Sequence, residues 1–209
     1  MQYIKGLDAF EGRNHTAVTL GKFDGLHRGH QKLLNRIIKY AQKEDCDSVV
    51  CAFDMNRDCL MTNEERRTFL EDKVDYLIEI PFTREMMEME AEKFIDEILH
   101  KKLHAAHIVV GTDFNFGHEK RGNHQMLEKY AAKYGYTVDV VEKAYYKDRE
   151  ISSTYIRELL LDGNVPLANE LLGYPYEITS VVEHGQQLGR TLGFPTMNLA
   201  PQEKKILPK

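Results

Sequence analysis

The sequence predicts an α/β fold in which a parallel β-sheet carries helices on both faces. Short, apolar, β-rich runs alternate along the chain with longer segments of helical periodicity, and this alternation is typical of strand–helix–strand units. The chain has 209 residues, of which 42% are hydrophobic, enough to bury the core of one domain and to leave a remainder for part of another.

Five runs rich in β-branched and aromatic residues are the predicted strands. They span residues 17–20, 48–53, 75–80, 107–111 and 136–142. The clearest helix follows the first strand, and its apolar residues recur at helical spacing as Leu33, Leu34, Ile37, Ile38 and Ala41. Segments 92–103 and 124–134 show the same pattern. Because ligands of such sheets collect at the carboxyl ends of the strands, we expect a site directly after the first strand.

The composition changes near residue 150. Two short helices are predicted in SSTYIRELLLDG and VPLANELLG, with Ser152 or Ser153 as N-cap and Gly163 and Gly173 as stops. Short β-like pieces and turns then follow to the end of the chain. We therefore divide the chain into a main domain over 1–160, a helical linker over 161–176 and a β segment over 177–209.

Charge and cysteine content exclude several classes of protein. The net charge is −5 and no long run of Lys or Arg occurs, so nucleic acid is not expected as the main partner. Cys46, Cys51 and Cys59 are odd in number and form no CxxC pair, which argues against a disulfide framework and a structural zinc site. The sequence shows neither a signal peptide nor a run of about 20 apolar residues. We expect a soluble, cytoplasmic protein without a membrane partner.

The stretch GKFDGLHRGH, residues 21–30, follows the first predicted strand and precedes the first helix. A glycine-rich turn at a helix N-terminus offers backbone N–H groups to an anion, so phosphate is its natural ligand. The spacing matches neither a Walker loop nor the GxGxxG pattern. His27 and His30 add two ring donors. A polar turn with surface histidines is the simpler alternative, but the pairing of the histidines beside three glycines favours a phosphate site.

Gly21-Lys22-Phe23-Asp24-Gly25-Leu26-His27-Arg28-Gly29-His30 resembles the HxGH motif of the nucleotidyltransferases, in the form found in prokaryotic FAD synthetases, which are bifunctional riboflavin kinase/FMN adenylyltransferases. Three further stretches match in the same order: VVGTDFNFGHEKRG (109–122), ISSTYIRELLLDGNVPLANELLGYPY (151–176) and GRTLGFPTMNL (189–199). The resemblance implies a Rossmann-like FMN adenylyltransferase domain over 1–160 and an incomplete riboflavin kinase β-barrel over 177–209.

The resemblance implies transfer of AMP from ATP to FMN, with Mg²⁺, to give FAD and pyrophosphate. The implied catalytic residues are His27, His30, Ser153, Thr154 and Arg157. The implied ATP-binding residues are Gly21, Lys22, Phe23, Asp24, Gly25, Gly29, Gly111 and Asp113. The implied flavin-binding residues are Phe53, Asp54, Asn56, Phe114 and Phe116. Because the acceptor phosphate has a second pKa of about 6, the reaction needs no general base.

The sequence departs from the family pattern in two places. FDMNRDCL (53–60) stands where the family carries a Pro-His-Pro-like run beside the flavin pocket. Thr196 and Asn198 match the magnesium ligands of the kinase, but the chain stops at Lys209, before most of the barrel. We therefore expect no riboflavin kinase activity and a vestigial metal site. Residues from about 180 onward are expected to be mobile, to dock on the first domain or to pair weakly with another copy through an open edge; otherwise the chain is monomeric.

Two other functions stay open. An adenylyltransferase for another phosphorylated acceptor is compatible with the altered 53–60 loop. A non-catalytic module that binds flavin or nucleotide is compatible with the incomplete C-terminal half.

Overall fold

The computed structural model describes residues 1–12, 15–54, 58–186, 188–200, 202 and 204–209. The strands are β1 (Gln2–Lys5), β2 (Thr16–Gly21), β3 (Asp47–Phe53), β4 (Tyr76–Ile80), β5 (Ala105–Gly111), β6 (Asn115–Phe116), β7 (Gly122–Asn123), β8 (Thr137–Val141), β9 (Tyr145–Tyr146), β10 (Arg149–Glu150), β11 (Val181–Glu183) and β12 (Asn198–Ala200). The α-helices are α1 (Arg28–Glu44), α2 (Asn63–Leu70), α3 (Arg84–Glu88), α4 (Ala91–Lys93), α5 (His124–Tyr134), α6 (Ser153–Leu161), α7 (Val165–Leu172) and α8 (Leu188–Thr191). A π-helix (Phe94–Lys102) continues α4, and a 3₁₀ turn covers His118–Lys120.

The central sheet has six strands in the order β1-β4-β3-β2-β5-β8. All its pairings are parallel. The predicted strands correspond to β2, β3, β4, β5 and β8, so the α/β fold with a parallel sheet is confirmed. From β2 the chain builds toward one edge through β3 and β4, and then returns to add β5 on the other side of β2. The order of strands therefore reverses between β2 and β5, and loops that leave such a point in opposite directions open a crevice for a ligand.

Helices cover both faces of the sheet, as predicted. One apolar cluster joins Val18 and Leu20 of β2 to the π-helix and α5. A second cluster joins Ala17, on the opposite side of the same strand, to Leu34 and Ile37 of α1. Alternate residues of one strand thus enter different cores, which accounts for the continuous burial of a strand in a parallel sheet.

The residues that follow β10 contribute most of a third apolar cluster, and the described part of this region forms no barrel. Helices α6 and α7 pack together and enclose Leu60 and Ile206. Within the described part of 177–209, the β structure is the antiparallel pair β11–β12 and a bridge between Cys59 and Lys205. Cys59 N donates to Lys204 O (2.8 Å) and Ile206 N donates to Cys59 O (3.1 Å). Of the arrangements expected for this region, residues 204–209 show docking on the first domain.

Among the described residues, no helix is both long enough and apolar enough to span a membrane.

Candidate active site

A cleft of about 270 Å³ opens at the carboxyl edge of the sheet, beside the reversal between β2 and β5. We call residues 22–27, between β2 and α1, the predicted phosphate loop. The cleft is lined by this loop and the start of α1 (His27, Gly29, His30, Leu33), by the end of β5 and the residues after it (Gly111, Asp113), by residues 141–144 and by residues 150–154. Segments that lie far apart in sequence thus meet where the sequence predicts the site.

The loop between β2 and α1 has an unusual backbone. Phe23, Gly25 and Leu26 adopt φ values of 47°, 78° and 37°. Positive φ is uncommon for residues other than glycine and is held in place only by surrounding structure. Here the surrounding structure is apolar packing, because the side chains of Phe23 and Leu26 are fully buried in the cluster shared with α1. The burial of two bulky side chains fixes the path of the loop.

The two histidines of the loop stack on each other inside the cleft. Their ring centroids lie 3.7 Å apart at an interplanar angle of 22°, and Phe23 meets His30 edge-on at 5.2 Å. Desolvation lowers the pKa of His27 to about 4. Burial also holds the pKa of His30 well below its ordinary value, and electrostatic repulsion from Arg66, and from His27 when that ring is protonated, lowers it further. Both imidazoles are therefore neutral near pH 7 and act as hydrogen-bonding groups rather than as cations.

Each ring has one buried nitrogen for which the described residues supply no partner. The Nδ1 atoms of His27 and His30 are both in this state. A Cβ atom at Gly29 would stand 3.1 Å from the Cε1 and Nδ1 atoms of His27. Glycine therefore separates the histidines because a larger residue would push against the ring of His27.

Asp24, predicted to bind ATP, forms hydrogen bonds and an ion pair with residues outside the loop. Its Oδ1 accepts from Leu60 N (2.7 Å), and its Oδ2 forms an ion pair with Arg157 at 3.0 Å. Ser153 Oγ donates to the backbone carbonyl of Asp24 (2.8 Å). The structure thus joins the start of α6 to the phosphate loop through Asp24. Arg157 stands beside the cleft with its guanidinium on Asp24.

The start of α6 contributes hydroxyl groups to the cleft. Ser152 is the N-cap, since its Oγ accepts from Tyr155 N at 3.2 Å. Thr154 lines the cleft and its side chain is exposed. Of the predicted catalytic residues, the structure brings His27, His30, Ser153 and Thr154 into one cleft.

Lys143 is a residue of the cleft that the sequence analysis missed. Its Nζ lies 3.1 Å from Asp113 Oδ2 and 2.8 Å from Glu150 Oε2. The hydrogen bond to Glu150 and then that to Asp113 raise the pKa of Lys143. The signal that identifies it is positional, because it follows β8 at the same edge of the sheet as Asp113 follows β5.

The predicted flavin residues lie at the ends of β3 and β5. Phe53 and Phe114 are half-buried against one apolar cluster, which contains Phe116 as a buried member. Phe114 and Phe116 stack with centroids 5.5 Å apart. Asp54 is exposed. Asn56 lies outside the described residues.

The remaining predicted residues lie outside the lining of the cleft. Lys22 is exposed, and its carbonyl accepts from Arg66 Nη1 at 2.9 Å. Thr196, before β12, and Asn198, the first residue of β12, are both exposed. In the described ranges, no group of three or more His, Cys, Asp or Glu residues could hold a metal ion.

Comparison with known proteins matches nearly the whole chain to the family that the sequence motifs resemble. The family model of FAD synthetase matches residues 10–155, and that of riboflavin kinase matches residues 172–209. The bifunctional riboflavin kinase/FMN adenylyltransferase of Buchnera aphidicola subsp. Schizaphis graminum is 35% identical over 213 residues, which cover 96% of this chain and 68% of that protein. The Escherichia coli (strain K12) protein of the same name is 35% identical and is matched over 91% of this chain and 64% of its own length.

A solved structure gives the same result for the fold. A Streptococcus pneumoniae protein, described as a macrolide-efflux protein, superposes with a TM-score of 0.88 and 31% identity, over 99% of this chain and 71% of that one. The present chain spans about two thirds of the length of the two relatives above. The match of the FAD synthetase family model to residues 10–155, together with the 35% identity to these relatives, shows that the chain belongs to the FAD synthetase family.

Proposed function

We propose that this chain transfers AMP from ATP to FMN, forming FAD and releasing pyrophosphate. The observation that carries the proposal is the pair of stacked, neutral histidines in a cleft where the N-termini of α1 and α6 meet. The names of the relatives, which include FMN adenylyltransferase, support the same reaction.

The reaction suits a site of hydrogen-bond donors. The acceptor is a phosphate monoester that is largely dianionic near neutral pH, so it attacks the α-phosphorus of ATP without a general base. Catalysis then depends on alignment and on donors around the α-phosphate and the departing pyrophosphate. A buried N–H without a partner costs more than a buried lone pair without one. The unpartnered Nδ1 atoms of His27 and His30 therefore favour the tautomer in which Nε2 carries the proton and donates it to phosphate oxygens.

The triphosphate is assigned to the two helix N-termini. Unpaired backbone N–H groups at the start of a helix attract anions. Thr154 adds an exposed hydroxyl at the start of α6. Arg157 contacts phosphate only if it leaves Asp24, because the two form an ion pair in this structure. In its present position Arg157 acts through Asp24, whose backbone is part of the phosphate loop.

The nucleoside and the metal are assigned to the far wall of the cleft. Asp113, after β5, accepts from a ribose hydroxyl or the adenine amine in this proposal. Mg²⁺ bound to a nucleotide takes most of its ligands from phosphates and water, with one or two carboxylates from the protein. Glu150 fits that requirement, since it lines the cleft, and its carboxylate would exchange the ammonium group of Lys143 for the metal. The metal would supply charge neutralisation of the departing pyrophosphate.

FMN is assigned to the aromatic edge beyond the cleft. Phe53 and Phe114 present half-buried rings, and aromatic rings prefer offset or edge-on contact with a flat ring system such as a flavin. Phe116 supports Phe114 from the core. Asp54 is the exposed polar group that we assign to the same pocket.

The proposal assigns only adenylyl transfer to this chain. Thr196 and Asn198 remain predicted magnesium ligands of a kinase site, and they lie exposed near β12. The described part of 177–209 forms a two-stranded ribbon with exposed Val181, Val182 and Leu199. Weak self-association through this ribbon remains a prediction.

A second candidate is the transfer of AMP to another phosphorylated acceptor. The observation that favours it is the 53–60 segment, where the family's prolines are absent beside Phe53 and Asp54. A loop without prolines is less pre-organised for one ligand.

The test is to incubate the purified chain with ATP, Mg²⁺ and either FMN or riboflavin, and to separate the flavins by chromatography. We expect FAD from FMN and none from riboflavin. His30→Ala is expected to lower the rate by about 100-fold, the usual cost of one lost donor in such a site, with a small change in melting temperature. His100→Ala is the matched control, because His100 rests on Tyr134 and does not line the cleft.

Absence of FAD in both arms would overturn the proposal. Pyrophosphate release with a different phosphorylated acceptor would then establish the second candidate. A large loss of stability in His30→Ala would assign His30 to the fold instead of the reaction.

A further inference from the structure

The carbonyl groups of the phosphate loop are held by side chains, most of which come from distant parts of the chain. Four of these hydrogen bonds are Arg66 Nη1 to Lys22 O (2.9 Å), Ser153 Oγ to Asp24 O (2.8 Å), Tyr174 Oη to Gly25 O (2.5 Å) and Gln31 Nε2 to Leu26 O (2.8 Å). A carbonyl oxygen that faces a phosphate is repelled by it, whereas an N–H group attracts it. Donors that hold these carbonyls therefore determine which groups the loop can offer to an anion.

The end of α7 is seated directly on this loop. Gln31 Nε2 donates to Leu172 O (2.8 Å) as well as to Leu26 O, so one amide joins the two segments. A Cβ at Gly25 would stand 3.3 Å from Leu172 Cδ2. Tyr174 follows at once and reaches the carbonyl of Gly25.

Tyr174 contacts the loop from outside the cleft. Its ring lines a separate cavity of about 300 Å³ with Phe69 and Tyr176, and it does not line the cleft of the histidines. The ring packs on Phe69 with centroids 5.0 Å apart. The Tyr174 hydroxyl therefore donates to the Gly25 carbonyl without entering the cleft.

We propose that Tyr174 is a positioning residue for adenylyl transfer, which fixes the phosphate loop by holding the Gly25 carbonyl away from the bound triphosphate. The inference rests on the proposed function, which it deepens. The contact also connects the two stretches that the family models match. Gly25 lies in the stretch matched by the FAD synthetase model, and Tyr174 lies in the stretch matched by the riboflavin kinase model. The second stretch therefore supplies a contact on which the site of the first depends.

Tyr174→Phe tests the proposal, because it removes one hydroxyl and keeps the ring on Phe69. Tyr176→Phe is the matched control: its hydroxyl also donates to a backbone carbonyl, that of Ile206 at 2.7 Å, but not to the loop. We expect Tyr174→Phe to lower kcat/KM for ATP about tenfold with KM for FMN within twofold of wild type. Tyr176→Phe is expected to keep wild-type kinetics, and the two melting temperatures should be similar.

Gln31→Met provides a second test, since it frees the neighbouring Leu26 carbonyl, and it should also lower kcat/KM for ATP with KM for FMN unchanged. Equal kinetics for Tyr174→Phe and Tyr176→Phe, in a wild-type chain that makes FAD, would overturn the inference alone. A wild-type chain that makes no FAD would instead overturn the proposed function.

Discussion

Burial determines the charge of the two cleft histidines. Stacking places each ring against the other, and the pKa of His27 falls to about 4 because its charged form is poorly solvated. In the proposed function the neutral pair binds phosphate through directed hydrogen bonds. A neutral pair also avoids the repulsion that two imidazolium ions would have across 3.7 Å.

The stability of the fold should therefore depend on pH through His27. Above pH 6.5 the residue is neutral in both folded and unfolded chains and has no effect. Between pH 6.5 and about 4 the unfolded chain binds a proton that the folded chain does not, so the free energy of unfolding falls as the pH falls.

We expect wild type to lose about 3 kcal/mol more than His27→Asn between pH 7 and pH 4, measured by urea denaturation at each pH. The carboxylates titrate alike in both chains, so the difference isolates the histidine. Parallel curves for the two chains would show that His27 is not buried in its neutral form.

The sequence identified the histidines but not all their neighbours. His27 and His30 were found because glycines and a strand end surround them. The ion pair of Asp24 with Arg157 was not foreseen, because 133 residues separate the partners and only the packing of α6 on the loop brings them together. Lys143 was missed although its position after β8, at the sheet edge where Asp113 follows β5, was available as a signal.

At the scale of elements, the loop between β2 and α1 depends on Gly25. This residue has a φ of +78°, and a Cβ there would stand 2.9 Å from Leu60 Cδ1. Leu60 is fully buried in the cluster of α6 and α7, so it has little room to move. Backbone conformation and close packing therefore both require glycine.

Gly25→Ala is expected to cost more stability than Gly135→Ala. Gly135 has a similar φ of +74° with nothing within 4 Å of a Cβ, so its substitution carries only the backbone penalty of about 1 kcal/mol. Gly25→Ala adds an overpacking cost of about 1–3 kcal/mol and should also abolish most FAD formation. Thermal unfolding and the flavin assay check both effects, and equal losses of stability would show that Leu60 yields easily.

The elements that the sequence predicted are those with strong periodicity. The strands of the sheet centre and α1 were found from alternation and helical spacing. The edge strand β1 has only four residues and is defined by its pairing with β4. Helix α2 was also missed, although Thr62 and Glu65 form a capping box that was available as a signal. The π-helix in 94–102 appears in place of a regular helix, because periodicity over nine residues does not distinguish the two.

In the molecule as a whole, the docked residues 204–209 contact the segment around Leu60, which in turn contacts the phosphate loop. Lys205 is buried, pairs with Glu65 at 2.6 Å and donates to Leu60 O at 2.8 Å. Leu60 N in turn donates to Asp24 of the phosphate loop. The chain of contacts runs from the C-terminal segment to the cleft.

Lys205→Met should lower the free energy of unfolding by about 1–3 kcal/mol, because it leaves the carboxylate of Glu65 without its cation and the Leu60 carbonyl without a donor. Lys209→Met, at an exposed side chain of the same segment, should change it by less than about 0.5 kcal/mol. Urea denaturation measures both, and an unaffected Lys205→Met would mean that the segment docks without stabilising the domain.

In the proposed function, the cleft at the strand reversal transfers the adenylyl group of ATP to the phosphate of FMN. The most direct measurement uses ATP labelled at the α-phosphorus or at the γ-phosphorus, with FMN as acceptor and the slow variant His30→Ala as the control. We expect the flavin product to carry the α label, pyrophosphate to form in equal amount, and His30→Ala to form both about 100-fold more slowly. A flavin product labelled from the γ position, or no labelled flavin at all, would contradict it.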